Sequence, residues 1–361
     1  MDDGDFLPLE YYNPVRKNGV KSAGRPQHYN HAIFHKDVVT MEDGTRYNVT
    51  STEIPEKFRQ QGSDIVNIET SAWTTKADGL NRDRMHELAR LAIPTVFISV
   101  QQNLTRFGHI DQNAHNQIEI AKTLAPQYGY STEHAISTGI SRGCMTSLVV
   151  GAVAKQHDME IAYIDSLVPV RPNGIDLQYD IEHLIDSLPN EGRALASLRE
   201  IPFKKLWHYS GTLDATPRGI WQQIKEVPTL LSGEVGRQID ANMQKDQFGV
   251  ITAFNGDIFT QGDVWNERFD GIRYPNMVVN SREGGAHMTC ALDESFDGWH
   301  GRVRTVSEIF HERTSNRALG GAALRAMSAV ENSAFLQAHE IDSELAHYQR
   351  LKSLQDPLQA Y

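Results

Sequence analysis

The feature that most constrains this sequence is a short turn bounded by glycines, Gly139-Ile-Ser-Arg-Gly143, which joins two apolar segments. The segment before it, Ala135-Ile-Ser-Thr138, has the character of a buried strand, and residues 142–155 have that of an apolar helix. A chain that passes from strand to helix in so few residues bends sharply, and side chains two positions either side of Ser141 would collide. The pattern therefore predicts that Ser141 lies at the edge of a sheet, beside a helix N-terminus.

Strands and helices are predicted in alternation along the rest of the chain. Segments with strand character are residues 34–41, 46–50, 64–68, 94–100, 160–165, 203–210, 249–254 and 275–280. Segments with helical spacing of apolar residues are 81–92, 111–124 and 220–243. Alternation at this spacing is typical of a parallel sheet covered by helices on both faces, so the predicted fold class is α/β.

Changes of composition divide the chain into three parts. Residues 1–30 are polar and read as an extended arm, and residues 301–361 read as a helical extension. Between them, residues 31–300 form the main domain. Prolines and glycines interrupt the pattern at about 170–200, which predicts a small inserted cap, and a further insertion is expected at about 217–270.

The composition excludes several classes of protein. Hydrophobic residues make up 40% and charged residues 22%, which is ordinary for a globular protein, and the net charge is −11. An acidic balance argues against nucleic acid or an anionic membrane as a partner. The two cysteines are too few for a disulfide scaffold, and the acidic first residues do not resemble a signal peptide. We therefore expect a cytoplasmic protein.

The turn in its strand and helix context resembles the nucleophile elbow of the α/β-hydrolase superfamily, in particular its serine esterases and lipases. The resemblance covers about residues 31–300. It implies an α/β-hydrolase fold, with a mostly parallel central sheet flanked by helices, and it implies that Ser141 is the nucleophile. His287 follows the last predicted strand and a Gly284-Gly285 pair, as the general base of the family does.

In the superfamily, an acid completes a catalytic triad with the serine and the histidine. This sequence has two candidate positions for the acid. Asp214 lies in Gly211-Thr-Leu-Asp-Ala-Thr-Pro217, which resembles the glycine, aspartate and proline that follow a core strand in the family. The alternative is Asp257 or Asp263, after the strand predicted at 249–254; residues 170–247 would then form one large cap. The Gly-x-x-Asp-x-x-Pro pattern favours Asp214.

The resemblance is weakest at the loop expected to stabilise the oxyanion. Many members have His-Gly there, whereas this chain has Glu69-Thr-Ser-Ala-Trp73. A backbone N–H can come from any residue, so the expected donors are Arg142 together with Ser71 or Ala72, and Trp73 would line the pocket. We interpret the Arg142 side chain as a surface residue, with a substrate-carboxylate contact as the alternative. Cys144 and Cys290 are interpreted as small buried side chains.

These patterns predict a serine hydrolase that cleaves an acyl ester or thioester of a small molecule through an acyl-enzyme. An acyltransferase, an amidase or peptidase, or a non-catalytic binding protein with the same fold are the alternatives. No metal-ligand spacing and no nucleotide-binding loop occurs in the sequence, so no metal and no cofactor is expected. The C-terminal helices either pack on the core or form a homo-oligomer interface.

Overall fold

A computed structural model describes the parts of the chain that carry the central sheets and the elements packed on them. The described residues are 20–22, 27–29, 32–53, 55, 66–70, 96–103, 110–167, 170, 172, 182–183, 185–189, 192, 228, 232–254, 257, 262–269 and 272–282. Most of the predicted cap, the strand predicted at 203–210 and the C-terminal extension lie outside these residues. So does the helix predicted at 81–92.

The described residues include ten strands and four α-helices whose bounds are complete. In chain order the strands are β1 (Val20–Ser22), β2 (Gln27–Tyr29), β3 (Ala32–Thr40), β4 (Arg46–Glu53), β5 (Val66–Thr70), β6 (Val96–Asn103), β7 (His134–Ile140), β8 (Glu160–Leu167), β9 (Gly249–Phe254) and β10 (Met277–Arg282). The helices are α1 (Ile110–Leu124), α2 (Arg142–Val153), α3 (Glu234–Asn242) and α4 (Gly262–Arg268). Short 3₁₀ turns, Ala125–Tyr128 and Ala154–His157, follow α1 and α2.

Five strands form a parallel sheet in the order β10-β9-β8-β7-β5. β5, β7, β8 and β9 are buried along most of their length, as expected for a parallel sheet that is covered on both faces. Parallel strands place all their carboxyl ends at one edge of the sheet. The segments that follow β5, β7, β9 and β10 therefore share that edge, where ligands bind in open α/β sheets.

A second sheet is antiparallel, in the order β1-β3-β4-β6, and β2 also pairs with β3. The tight turn between β3 and β4 has Gly44 at a φ of 82°, and the Gly44 backbone N–H donates a hydrogen bond to the carbonyl of Met41. Asp43 accepts hydrogen bonds from the backbone and side chain of Thr45. The hairpin predicted around Glu42-Asp43-Gly44 is thus present. β6 and β5 also lie in contact, so the two sheets adjoin.

The core lies between the parallel sheet and the helices. α2 packs on β7 and β8, with α1 and α3 against it, and α4 packs on β9 and β10. Every residue of α2 is buried, which explains why the helix has no polar face. Apolar side chains from all four helices join one cluster with those of the sheet, so α2 and the turn before it are held on every side.

Two features differ from the predicted division of the chain. Residues 249–254 fall inside the insertion expected at 217–270, yet β9 lies in the sheet between β8 and β10. That part of the insertion prediction is wrong, because the segment is a core strand. Residues 20–22 and 27–29, within the predicted arm, are strands paired with β3.

No helix among the described residues is long and apolar enough to cross a membrane.

Candidate active site

Ser141 has a strained backbone conformation. It stands between β7 and α2 with φ 55° and ψ −124°, and it is one of two non-glycine residues with positive φ in the described part of the chain. Such a conformation costs on the order of 1–3 kcal/mol and persists only where the surrounding structure imposes it. The side chain is partly exposed, although the helix that follows is buried throughout. The sharp bend predicted from the pentapeptide is confirmed.

Close packing of the backbone imposes this bend. A Cβ atom at Gly139 would lie 2.5 Å from the carbonyl oxygen of Gly143 and 2.7 Å from the amide nitrogen of Cys144. The turn is closed by a 2.9 Å hydrogen bond from the Cys144 amide to the Ser141 carbonyl, and the Cys144 thiol lies 3.0 Å from the Gly139 carbonyl. Only glycine at position 139 permits this approach. Cys144 is fully buried, as predicted, while Cys290 lies outside the described residues.

The Arg142 side chain is 6% exposed, so the prediction of a surface residue is wrong. The helix that begins at this residue is enclosed on all sides, and its first side chain is enclosed with it. A buried guanidinium requires acceptors around it, because burying an unpaired charge is costly. Its backbone amide lies at the N-terminus of α2, where a helix carries partial positive charge.

Buried polar side chains join β5 to β7 directly behind the bend. Thr138 donates a hydrogen bond to the carboxylate of Glu69, which is fully buried, and Thr138 Oγ1 also lies 3.0 Å from Asn67 Oδ1. A hydroxyl has one proton, so it cannot donate fully to both oxygens. A 180° rotation of the Asn67 side-chain amide exchanges its oxygen and nitrogen. Its Nδ2, which lacks a hydrogen-bond partner among the described residues, then donates to Thr138 Oγ1. Thr138 then donates to Glu69 alone.

The last residue of β5 is tied to a helix as well. Thr70 Oγ1 donates a 2.8 Å hydrogen bond to the side-chain oxygen of Gln117 in α1, and both residues are fully buried. Glu69 and Thr70 are the first two residues of the predicted oxyanion loop. The loop therefore starts from a point held by both β7 and α1. Glu69 was predicted only as part of a loop, whereas it is a buried residue of β5.

A second set of hydroxyls lies on the other face of β7, against α2. Ser137 Oγ donates to the carbonyl of Ser147, at 3.0 Å. The hydroxyls of Ser147 and Ser166 lie 3.2 Å apart. Since all three residues are buried, these bonds fix α2 to β7 and β8 without solvent. The strand, the bend and the helix that carry Ser141 form one rigid unit.

Of the candidate acids, the structure places Asp257 most clearly. Asp257 follows β9 at the carboxyl edge of the sheet, and it is fully buried. His183, in the predicted cap, hydrogen-bonds to its backbone carbonyl. Asp263 lies in the first turn of α4. The sequence carried no sign of the contact with His183, which joins residues 74 positions apart.

The remaining predicted site residues lie outside the described part of the chain: Asp214, His287, Ser71, Ala72 and Trp73. Among the described residues, no group of three or more His, Cys, Asp and Glu side chains could hold a metal ion.

A parallel sheet flanked by helices, with a serine in a strained turn between a strand and a buried helix, is the α/β-hydrolase architecture. The fold predicted from the sequence is confirmed. No protein-family model and no curated protein matches the chain.

Several solved structures are similar to this chain at low sequence identity. An esterase from Pyrococcus furiosus has a TM-score of 0.47 and 14% identity, over 77% of this chain and 90% of that one. Acetyl xylan esterase 1 from Thermoanaerobacterium sp. has a TM-score of 0.46 and 12% identity, over 84% and 90% of the two chains. Carboxyl esterase 2 from the fungus Tuber melanosporum has a TM-score of 0.47 and 10% identity, over 85% and 87%.

Proposed function

We propose that this protein is a serine hydrolase that cleaves an acyl ester or thioester through an acyl-enzyme on Ser141. The observation that carries the proposal is the positive φ of Ser141 between β7 and the N-terminus of a buried helix. A serine that only packed would relax to an ordinary turn, whereas one held in this conformation presents its hydroxyl at the edge of the sheet. The strain is therefore best explained as the preorganisation of a nucleophile.

In this mechanism His287 is the general base that takes the Ser141 proton and returns it to the leaving group. The order of strands supports the assignment. Ser141 follows β7, while His287 comes after β10 in the sequence, and both strands run in the same direction in one sheet. Their carboxyl ends therefore open onto the same edge.

For the acid we favour Asp257 over Asp214, which the sequence pattern preferred. β8 pairs directly with β9, so residues 249–254 form the strand next to β8 in the sheet. Asp257 comes shortly after that strand, which lies between β7 and β10 in the order of the sheet, and it is buried. A buried carboxylate in this position would hold the imidazole tautomer and stabilise the imidazolium. Asp263, at the start of α4, is the second alternative.

The oxyanion would be stabilised by the amide of Arg142 and by an amide of Ser71 or Ala72. Donors at the N-terminus of α2 carry the partial positive charge of a helix end. The bonds from Thr138 to Glu69 and from Thr70 to Gln117 support the second donor, because they hold the start of its loop against β7 and α1. Trp73 and the cap at 170–200 would then limit the size of the acyl group.

A fluorophosphonate probe tests the nucleophile. We expect labelling of the whole protein, loss of the label in Ser141→Ala, and full labelling in the matched control Ser131→Ala, whose hydroxyl lies near the surface. Hydrolysis of p-nitrophenyl acetate and butyrate should disappear with the label. A folded Ser141→Ala protein that retains both would contradict the proposal.

The acid is tested by Asp257→Asn and Asp214→Asn in the same assay. An amide in place of the acid leaves the histidine in the wrong tautomer, which lowers kcat by about 10⁴-fold in a serine triad. We expect that loss for Asp257→Asn and a change of less than about tenfold for Asp214→Asn. The reverse pattern would move the acid to Asp214 and leave the enzyme class in place.

A further inference from the structure

A hydrogen bond links the predicted cap to the segment after β9. His183 Nε2 lies within hydrogen-bonding distance of the carbonyl oxygen of Asp257, and Ser187 Oγ lies 3.3 Å from the same nitrogen. A carbonyl oxygen can only accept, so Nε2 carries a proton and donates it. The contact therefore selects the form of His183 with a protonated Nε2.

The helical residues around His183 present two different faces. Residues 182–183 and 185–189 are helical, so His183 and Ser187 lie on one face, four positions apart. That face packs inward, since Ser187 is 2% exposed and Asp257 is fully buried. On the rest of the surface, Ile185 is 60% exposed and Leu188 is 54% exposed. His183 is thus directed at the Asp257 segment.

We propose that His183 is a positioning residue, which fixes the backbone of Asp257 to the cap and so sets the direction of its carboxylate. The inference rests on the proposed function, in which Asp257 is the triad acid. A hydrogen bond to the carbonyl of Asp257 restricts rotation of the peptide plane that follows its Cα. Since the carboxylate side chain is attached to the same Cα, its direction is restricted as well. Small displacements are costly here, because about 1 Å of misplacement can reduce a rate by about 10²-fold.

The bond also gives the cap a role beyond limiting substrate size. The helical segment that contacts the acid through His183 also exposes Ile185 and Leu188 to solvent, so a change in the position of this segment would be passed to the carbonyl of Asp257. We expect catalysis to respond to the position of the cap through kcat, while substrate binding at the pocket wall is reflected in KM.

Two polar variants of similar size separate the hydrogen bond from simple packing. In His183→Gln the amide nitrogen can occupy the place of Nε2, whereas in His183→Asn it is one methylene short and cannot reach the carbonyl. We expect Asn to lower kcat about tenfold with KM nearly unchanged, and Gln to restore most of it. Asp186→Asn, an exposed change on the same helical segment, is the matched control and should keep wild-type kcat.

The pH profile of kcat/KM provides a readout that a merely structural role would not move. A well-placed Asp257 carboxylate stabilises the imidazolium of the proposed base, His287. A displaced carboxylate therefore lets His287 lose its proton more easily. The acid limb of the profile should therefore move to lower pH in His183→Asn and return in His183→Gln. Equal profiles for wild type and His183→Asn, or equal losses in the Asn and Gln variants, would overturn the inference.

The outcome for the proposed function is read separately. Loss of fluorophosphonate labelling in Ser141→Ala tests the nucleophile and does not depend on His183. If that result holds while His183→Asn behaves as wild type, only the positioning role is lost. If Asp257→Asn remains fully active, the positioning role is also lost, and the hydrolase proposal continues with a different acid. If Ser141→Ala keeps activity and label, the proposed function itself fails and the positioning role fails with it.

Discussion

A single methyl group tests the packing that holds Ser141 in place. In Gly139→Ala the new Cβ would lie 2.5 Å from the Gly143 carbonyl oxygen, which is a backbone atom of the first turn of α2. Neither atom can move without opening the bend, so we expect the free energy of unfolding to fall by about 2–3 kcal/mol. Labelling of Ser141 by a fluorophosphonate should fall in parallel. Urea denaturation and the labelling assay measure the two effects.

The matched control for this change is Gly192→Ala. A Cβ at Gly192 would have nothing within 4 Å, so its effect should stay within about 0.5 kcal/mol. Unchanged stability and labelling in Gly139→Ala would show that the bend can relax around a side chain. The steric account of the turn would then be wrong.

Asp37 contributes to stability with a sign opposite to that of a paired carboxylate. Burial raises its pKa from the ordinary 3.8 to about 6, and nearby His35 opposes the shift only in part. The unfolded chain therefore ionises first as the pH rises. Between about pH 4 and pH 6 this group makes folding progressively less favourable, and above pH 6 the whole cost is present.

Asp37→Asn removes that cost. The stability of the variant minus that of wild type should be larger at pH 7 than at pH 4. We expect this double difference in the free energy of unfolding to be on the order of 1 kcal/mol after solvent screening. Comparing the two pH values cancels the packing of the amide, which is the same at both. Urea denaturation of both proteins at each pH gives the double difference. A double difference of zero or of opposite sign would show that Asp37 is not desolvated in the folded state.

At the scale of elements, the units made by neighbouring residues were the predictable ones. β7, the bend at Ser141 and α2 follow one another along the chain, and glycine spacing with apolar character is enough to specify them. The hairpin of β3 and β4 was predictable for the same reason, since Asp43 and Gly44 form its turn locally. In both cases, residues close together in the sequence determine the local backbone conformation.

Pairing between distant strands was not predictable in this way. The segments 203–210 and 249–254 both have strand character, and nothing in either reveals which lies beside β8. The structure pairs β8 with β9, and this moves the favoured acid from Asp214 to Asp257. The burial of Glu69 and Arg142 was missed for a related reason. Each is charged, and charged residues are almost never fully buried, so their burial is not expected from residue type. The elements that bury them are far away in the sequence.

The whole molecule has a sheet edge that depends on residues before the main domain. β1 pairs with Asp37–Val39 and β2 with Ala32–Phe34, so together they cover one side of β3, while β4 covers the other. An uncovered edge strand offers unpaired N–H and C=O groups to other chains and promotes aggregation. The arm expected at residues 1–30 therefore ends as part of the sheet.

Removing residues 1–30 should make the protein prone to self-association. Without β1 and β2, the nine residues of β3 present one open edge, and we expect large particles in light scattering at concentrations where the whole chain scatters little. The midpoint of thermal unfolding should also fall, because the hydrogen bonds of two strands are lost. Removal of residues 1–15 alone retains both strands and is the control. If both truncated proteins behave like the whole chain, β1 and β2 do not protect the edge, and β3 must be kept apart from other chains by its own side chains, among them the charged Lys36.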